Sequence, residues 1–145
     1  MNPYSVKTKF ILITFFLCLT GLSPLASAAD HKMVIQINSK NKVTHKMGLI
    51  NAGNLKSQLG NNNVNVEVVI YGPGLSMVKS ESVFAKRIKK LQSRGVEFSV
   101  CEGTLKSIAK KTGKEPDLLE GMKRVRTGAL RILELQEAGY SYLRP

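Results

Sequence analysis

The stretch VNVEVVIYGPG, residues 64–74, is the strand that decides the fold class of this chain. It becomes almost continuously apolar toward its end, and a Gly-Pro-Gly turn closes it. Strands that are apolar on both faces are typical of parallel sheets lying between two layers of helices. This segment therefore predicts an α/β protein.

The segments on either side of it alternate between strand and helix patterns. Strands are predicted at 33–38, 64–74 and 96–101, near 122–126 and at 140–143, and helices at 44–60, 80–95, 104–113 and 128–138. A helix between successive strands favours a parallel sheet with helices on both faces. We expect a three-layer α/β/α sandwich, flavodoxin-like in architecture, with a mainly parallel sheet of about five strands.

The helix predicted at 80–95 separates apolar from charged residues. Phe84, Ile88 and Leu91 are spaced to share one face, which should pack on the sheet. Its cations should lie on a solvated face: Lys86, Arg87, Lys90 and Arg94.

The first 29 residues have the pattern of a secretory signal peptide. Lys7 and Lys9 precede the apolar run FILITFFLCLTGL, and the small-residue stretch ASAA follows it. The run is shorter than the roughly 20 residues that a membrane-spanning helix needs, which argues against the alternative of an uncleaved anchor. We predict cleavage after Ala28 or Ala29, export to a bacterial periplasm without a stable membrane anchor, and a single domain over 30–145.

The chain is strongly basic, with a net charge of +12. Without Lys7 and Lys9, its 22 basic residues become 20, against 10 acidic residues. This charge suits a polyanionic partner, or a basic and soluble surface with no dedicated partner. Export, and the lack of a stretch that mixes aromatic and basic residues, predict that the protein does not bind nucleic acid.

Cys101 is the residue with the clearest chemical potential. The chain has two cysteines, and Cys18 falls within the predicted signal peptide. Cys101 ends a predicted strand and Thr104 is placed to begin the next helix, where amide groups and the helix dipole lower a thiol pKa from ~8.5 toward roughly 3.5–7.5. Glu102 opposes this effect, and Lys106 would offset Glu102 if it pointed back toward the loop. The alternative is an inert, buried thiol.

Other chemistries have weaker support. His31 and His45 lack metal-ligand spacing, so we predict no metal site, and His45 is interpreted as a surface residue. The segment YGPGLS lacks the ending of a phosphate-binding loop and is interpreted as a turn, in which Gly72 and Gly74 would let the backbone approach a ligand. Ligand contacts are expected in the loops at the carboxyl edge of the sheet, at 38–44, 72–80 and 101–104.

Three stretches of the chain resemble the DsrE/DsrF-like (DsrEFH-like) family, in particular its small exported members. They are VEVVIYGPGL at 66–75, GVEFSVCEGTL at 95–105 and GALRILELQEAGYSYLRP at 128–145. The resemblance implies a three-layer α/β fold and a homo-oligomer. It also implies that Cys101 matches a cysteine that accepts sulfur as a persulfide and passes it to a partner protein.

Three functions follow as hypotheses. In the first, Cys101 is the nucleophile of a sulfur carrier, supported by Gly103, Thr104 and Lys106, with a donor or acceptor protein or thiol as partner and no cofactor. In the second, the protein is a non-enzymatic oligomeric binding or assembly module in which Cys101 is structural and the basic helix at 82–94 contacts an acidic partner. In the third, Cys101 forms a mixed disulfide with a partner.

Overall fold

The computed structural model describes residues 31–145, so the predicted signal peptide lies outside the described residues. The strands are β1 (His31–Ile37), β2 (Val64–Ile70), β3 (Val96–Cys101), β4 (Lys123–Val125) and β5 (Ser141–Leu143). The helices are α1 (Lys42–Leu59), α2 (Ala85–Gln92), α3 (Glu102–Thr112) and α4 (Gly128–Glu137), together with a 3₁₀ helix at Gly72–Met77. Within 31–145, every helix is too short or too polar to cross a membrane.

The five strands form one parallel sheet in the order β4-β3-β2-β1-β5. Val68 at the centre of β2 lies opposite Ile35 of β1 and Phe98 of β3. The predicted α/β fold with a parallel sheet is confirmed. The order differs from the 2-1-3-4-5 of a flavodoxin-like sheet, because β5 here occupies the place beside β1.

This strand order explains where the helices lie. From β1 to β4 the chain advances across the sheet in one direction, so right-handed crossovers place α1, α2 and α3 on the same face. Helix α4 carries the chain back from β4 to β5 and covers the other face, in contact with β1, β2 and β3. The sheet thus separates a large core from a small one, and the small one consists of Val34, Val69, Ile132 and Leu135.

Helix α2 is shorter than the pattern at 80–95 predicts. The Ser82 hydroxyl donates to the Met77 carbonyl and accepts the Phe84 N–H, which holds this segment in turns until Ala85. Phe84, Ile88 and Leu91 do pack on the large core, as predicted. The segment after β2, predicted to be a turn, forms the 3₁₀ helix instead.

His45 is not a surface residue, so that prediction is wrong. It is 2% exposed, its Nε2 lies 2.6 Å from the Ser39 carbonyl oxygen, and its ring meets Phe84 edge-on. Asn41 caps α1 by accepting the Val43 N–H, so the helix includes His45 within its first turns. The ring therefore lies on the buried face of α1, the face that also carries the buried residues further along the helix.

Two cations near the end of α1 are more enclosed than the sequence pattern indicates. Lys56 is 2% exposed and donates to the carbonyls of Asn61 and Val64. Burial, assisted by the charge of Arg94, lowers the pKa of Lys56. Arg94, predicted to be solvated, is partly buried and donates to Ser57 and Asn61. These bonds tie the end of α1 to the loop before β2.

Candidate functional site

Cys101 lies at the carboxyl edge of the sheet, where the ends of three neighbouring strands bring their loops together. The 3₁₀ helix follows β2, α3 follows β3, and α4 begins shortly after β4. Side chains alternate between the two faces of a strand, so Cys101 projects, like Ser99, toward the face that α4 covers. The residue is 7% exposed. The thiol therefore lies between the sheet and the amino ends of two helices.

Those helix ends determine the acidity of the thiol. Cys101 is the N-cap residue of α3, and Gly128 is the first residue of α4. Burial by itself raises the pKa of the Cys101 thiol, but hydrogen bonds from the Thr104 hydroxyl and from the amides of Thr104, Gly128 and Gly103 outweigh it and lower the pKa. The positive ends of both helix dipoles act in the same direction. The arrangement favours a thiolate.

Thr104 is the best-placed of these donors. Its hydroxyl oxygen accepts a hydrogen bond from the Gly72 N–H at 2.8 Å, which leaves the hydroxyl proton for the sulfur. Thr104 does not begin α3 as predicted, since the helix begins at Glu102. The third helical position carries the hydroxyl back toward the N-cap, which is where the sulfur lies.

A cleft of about 450 Å³ opens beside the sulfur. It is lined by Gly72, Pro73, Cys101, Gly103, Thr104, Ser107, Ile108 and Lys111. A Cβ atom placed on Gly103 would lie 3.5 Å from the Cys101 Sγ, so the glycine keeps this side of the sulfur uncovered. The cleft gives a small molecule, or the end of a partner's side chain, a route to the thiol.

Four of the six residues predicted for the site meet at this cleft: Gly72, Cys101, Gly103 and Thr104. Gly74 does not. It is buried against the end of β1, and a Cβ atom there would overlap the Ile37 carbonyl oxygen. Its lack of a side chain serves backbone packing instead of ligand binding. Of the three predicted loops, 72–80 and 101–104 contribute to the cleft and 38–44 does not.

Lys106 also lies away from the cleft. Its Nζ is 3.8 Å from a Glu102 carboxylate oxygen, on the exposed side of α3, so it does not point back toward the sulfur. The lysine that lines the cleft is Lys111. It follows Thr104 by seven residues, two turns along the same helix face, and this spacing was the signal that could have identified it.

Next to the sulfur, on the same face of the sheet, lies a buried ion pair that the sequence patterns did not indicate. Glu67 of β2 is 2% exposed, accepts from the Ser99 hydroxyl, and pairs with Arg131 of α4. Arg131 donates from Nε and Nη2 to the two carboxylate oxygens, at 2.8 and 2.7 Å. Burial raises the pKa of Glu67, but the bonds from Arg131 and Ser99 outweigh it and lower the pKa. The sequence feature that could have predicted this ion pair is the single carboxylate within the apolar run of β2.

The thiol pH profile is the first test of this geometry. We expect Cys101 to be alkylated by iodoacetamide with a midpoint below ~8.5, because its thiolate persists to lower pH than that of an ordinary cysteine. Thr104→Val keeps the shape and removes the hydroxyl, and a hydrogen bond to a charged group is worth about 1.5–3 kcal/mol. The midpoint should therefore rise by about one pH unit.

The matched control is Ser107→Ala, since Ser107 lines the same cleft and is not among the groups that bond to the sulfur. Its profile should coincide with that of the unaltered protein. A Thr104→Val profile that also coincides with it would show that the hydroxyl does not act on the thiol.

Among residues 31–145, no group of three or more histidine, cysteine, aspartate or glutamate side chains is placed to bind a metal ion. Every buried side-chain nitrogen or oxygen in this part of the chain has a hydrogen-bond partner. The free thiol of the described residues is that of Cys101, which lines the cleft.

Solved structures similar to this chain include two proteins of unknown function. A protein of unknown function, MTH1491 from Methanobacterium thermoautotrophicum, is 30% identical, with a TM-score of 0.72 over 80% of this chain and 100% of that one. A conserved protein of unknown function, BT1422 from Bacteroides thetaiotaomicron, shares the fold at 19% identity, with a TM-score of 0.58 over 81% of this chain and 97% of that one. No protein-family model matches the chain, and no curated protein does.

Proposed function

This chain belongs to the same family as MTH1491 of Methanobacterium thermoautotrophicum, and we propose that it is a sulfur carrier whose acceptor atom is the Cys101 sulfur. The observation that carries the proposal is the setting of that sulfur, which lies at the amino ends of two helices and lines an open cleft. The resemblance of 66–75, 95–105 and 128–145 to the DsrE/DsrF-like family supports the same function.

The reaction exchanges one sulfur–sulfur bond for another. The Cys101 thiolate attacks the terminal sulfur of a persulfide or polysulfide donor, the donor's sulfur–sulfur bond breaks, and its electron pair leaves with the donor thiolate. The transferred sulfur remains bonded to Cys101 as a persulfide. An acceptor thiolate then attacks that outer sulfur and Cys101 leaves as a thiolate, so the two steps involve no net oxidation or reduction.

The residues around the sulfur favour both steps. Hydrogen bonds from Thr104, Gly103 and Gly128 stabilise Cys101 as the attacking anion and again as the leaving group. The opening beside Gly103 leaves space for the extra sulfur atom. Lys111, at the wall of the cleft, supplies a positive charge for an anionic donor.

Intact-mass measurement tests the proposal. The protein isolated from its own compartment without reductant, and the reduced protein after incubation with inorganic polysulfide, should both carry one additional sulfur atom. Dithiothreitol should remove it. A bare thiol under both conditions would refute the carrier function, and a disulfide adduct would point instead to the mixed-disulfide role.

The second candidate is a non-enzymatic binding module, favoured by the 7% exposure of Cys101. In that case the thiol is a packing residue, and native protein resists alkylation across pH 5–9 until it unfolds. The exposed cations of α2, which include Lys86, Arg87 and Lys90, would then contact an acidic partner. Rapid alkylation at neutral pH excludes this candidate.

Export and self-association belong to the same proposal. Export is supported by the pattern of residues 1–29, and a homo-oligomer by the resemblance to the DsrE/DsrF-like family. A carrier outside the cytoplasm would exchange sulfur with thiols or proteins of that compartment.

A further inference from the structure

The amino end of α4 is held against the sheet at two points. The backbone of Gly128 packs so closely on the Tyr71 ring that a Cβ atom there would overlap it. Three residues later, Arg131 forms its two-bond pair with the buried Glu67. The other two residues of this turn, Ala129 and Leu130, are exposed. Its contact with the sheet therefore depends on Gly128 and Arg131.

We propose that the Glu67–Arg131 pair is a positioning device, which fixes the first turn of α4 so that the Gly128 amide points at the Cys101 sulfur. This inference rests on the proposed function, because both concern the Cys101 sulfur. Neither charged residue touches that atom, so Glu67 and Arg131 are positioning residues and not catalytic ones.

The distribution of apolar contacts along α4 supports this role. Its buried apolar side chains, Ile132 and Leu135, lie beyond the first turn and pack on Val34 and Val69. They hold the middle and end of the helix, whereas the contacts of its first turn come from Gly128 and Arg131. A bidentate guanidinium–carboxylate pair constrains both distance and orientation, which is what an amide directed at one atom requires.

The anchor is itself well supported. Glu67 is central in the sheet, between β1 and β3, and the Ser99 hydroxyl holds one of its oxygens. Ser99 and Cys101 lie on the same side of β3, two residues apart, so the carboxylate and the sulfur share one rigid strand as a reference. A displacement of α4 would therefore change its distance to the sulfur directly.

Two single variants distinguish positioning from a simple effect of charge. If the pair acts by position, Glu67→Gln and Arg131→Met both release the first turn, and both should raise the midpoint of Cys101 alkylation by about one pH unit, roughly a tenfold loss of thiolate below the midpoint. If the residues act through space as charges, the signs differ. Removing the carboxylate would lower the midpoint, and removing the guanidinium would raise it. Shifts of opposite sign overturn the proposal.

Further variants complete the test. Arg131→Lys keeps the charge and at most one of the two bonds, so its midpoint should fall between those of the native protein and Arg131→Met. Glu134→Gln removes the other partner of Arg131, an exposed carboxylate 3.3 Å away, and should leave the midpoint unchanged. An unchanged midpoint in Arg131→Met would overturn the proposal.

A single variant that fails to fold is replaced by the double variant Glu67→Met with Arg131→Met. An apolar pair of similar volume is often neutral or stabilising where a buried ion pair stood. With circular dichroism confirming its fold, the double variant should show the raised midpoint, and an unchanged midpoint overturns the proposal. The readout needs no sulfur donor, so a protein that never binds polysulfide but shows these shifts would refute only the carrier function.

Discussion

Replacing Cys101 with serine is expected to abolish sulfur loading completely. A serine has nearly the same size as the cysteine, but its hydroxyl stays protonated where this thiol ionises and does not attack the sulfur of a polysulfide. The described residues contain no second cysteine that could take over, since Cys18 falls in the predicted signal peptide. Intact mass after incubation with inorganic polysulfide measures the effect.

The variant should also remain folded, because the exchange of sulfur for oxygen in a largely buried position costs about 1 kcal/mol. Thr104→Val is the graded companion, and it should load more slowly at pH 7 while reaching the same final mass. A dithiothreitol-labile sulfur on mature Cys101→Ser protein would place the acceptor elsewhere and end the carrier proposal in its present form.

Replacing Gly74 with alanine is expected to lower the free energy of unfolding by about 3 kcal/mol, at the upper end of what overpacking costs. The new methyl group would meet the carbonyl of Ile37, which ends β1 and already accepts the Tyr71 N–H at 3.1 Å. Backbone in a central strand cannot move aside as a flexible side chain can. Urea unfolding followed by circular dichroism gives the difference directly.

Gly72→Ala is the matched control, two residues away. Nothing lies within 4 Å of a Cβ atom there, but the backbone has φ +54°, where a side chain costs about 1–2 kcal/mol. Equal losses in the two variants would show that the Ile37 carbonyl is not the cause. A Gly74→Ala protein as stable as the original would mean that the 3₁₀ helix sits further from β1.

Much of the fold could be predicted from local patterns, because those patterns record which residues are buried. The apolar run of β2 and the alternation of Val96, Phe98 and Val100 in β3 correspond to buried residues of the sheet. Cys101 was placed at a strand end before a helix for the same reason, and it lies there. The pKa of its thiol, however, also depends on a residue from a distant segment of the chain.

What the sequence patterns missed depends on contacts between distant parts of the chain. Gly128 lies near the sulfur because β4 pairs with β3 and α4 begins shortly after β4. The spacing of residues within one segment does not predict which strands pair. Glu67 and Arg131 are 64 residues apart. His45 was misplaced for a more local reason, since the cap at Asn41 starts the helix earlier than its apolar pattern does.

The return of the chain after β4 also has a consequence for how the protein matures. Strands β1 to β4 can assemble in the order of synthesis, whereas α4 crosses back over the sheet and β5 pairs with β1, with Ser141 opposite Met33. Until α4 has docked, Cys101 has the amino end of α3 beside it but not that of α4. We therefore expect the full acidity of the thiol to develop only when α4 closes on the sheet, a delay that pulsed alkylation during refolding would record.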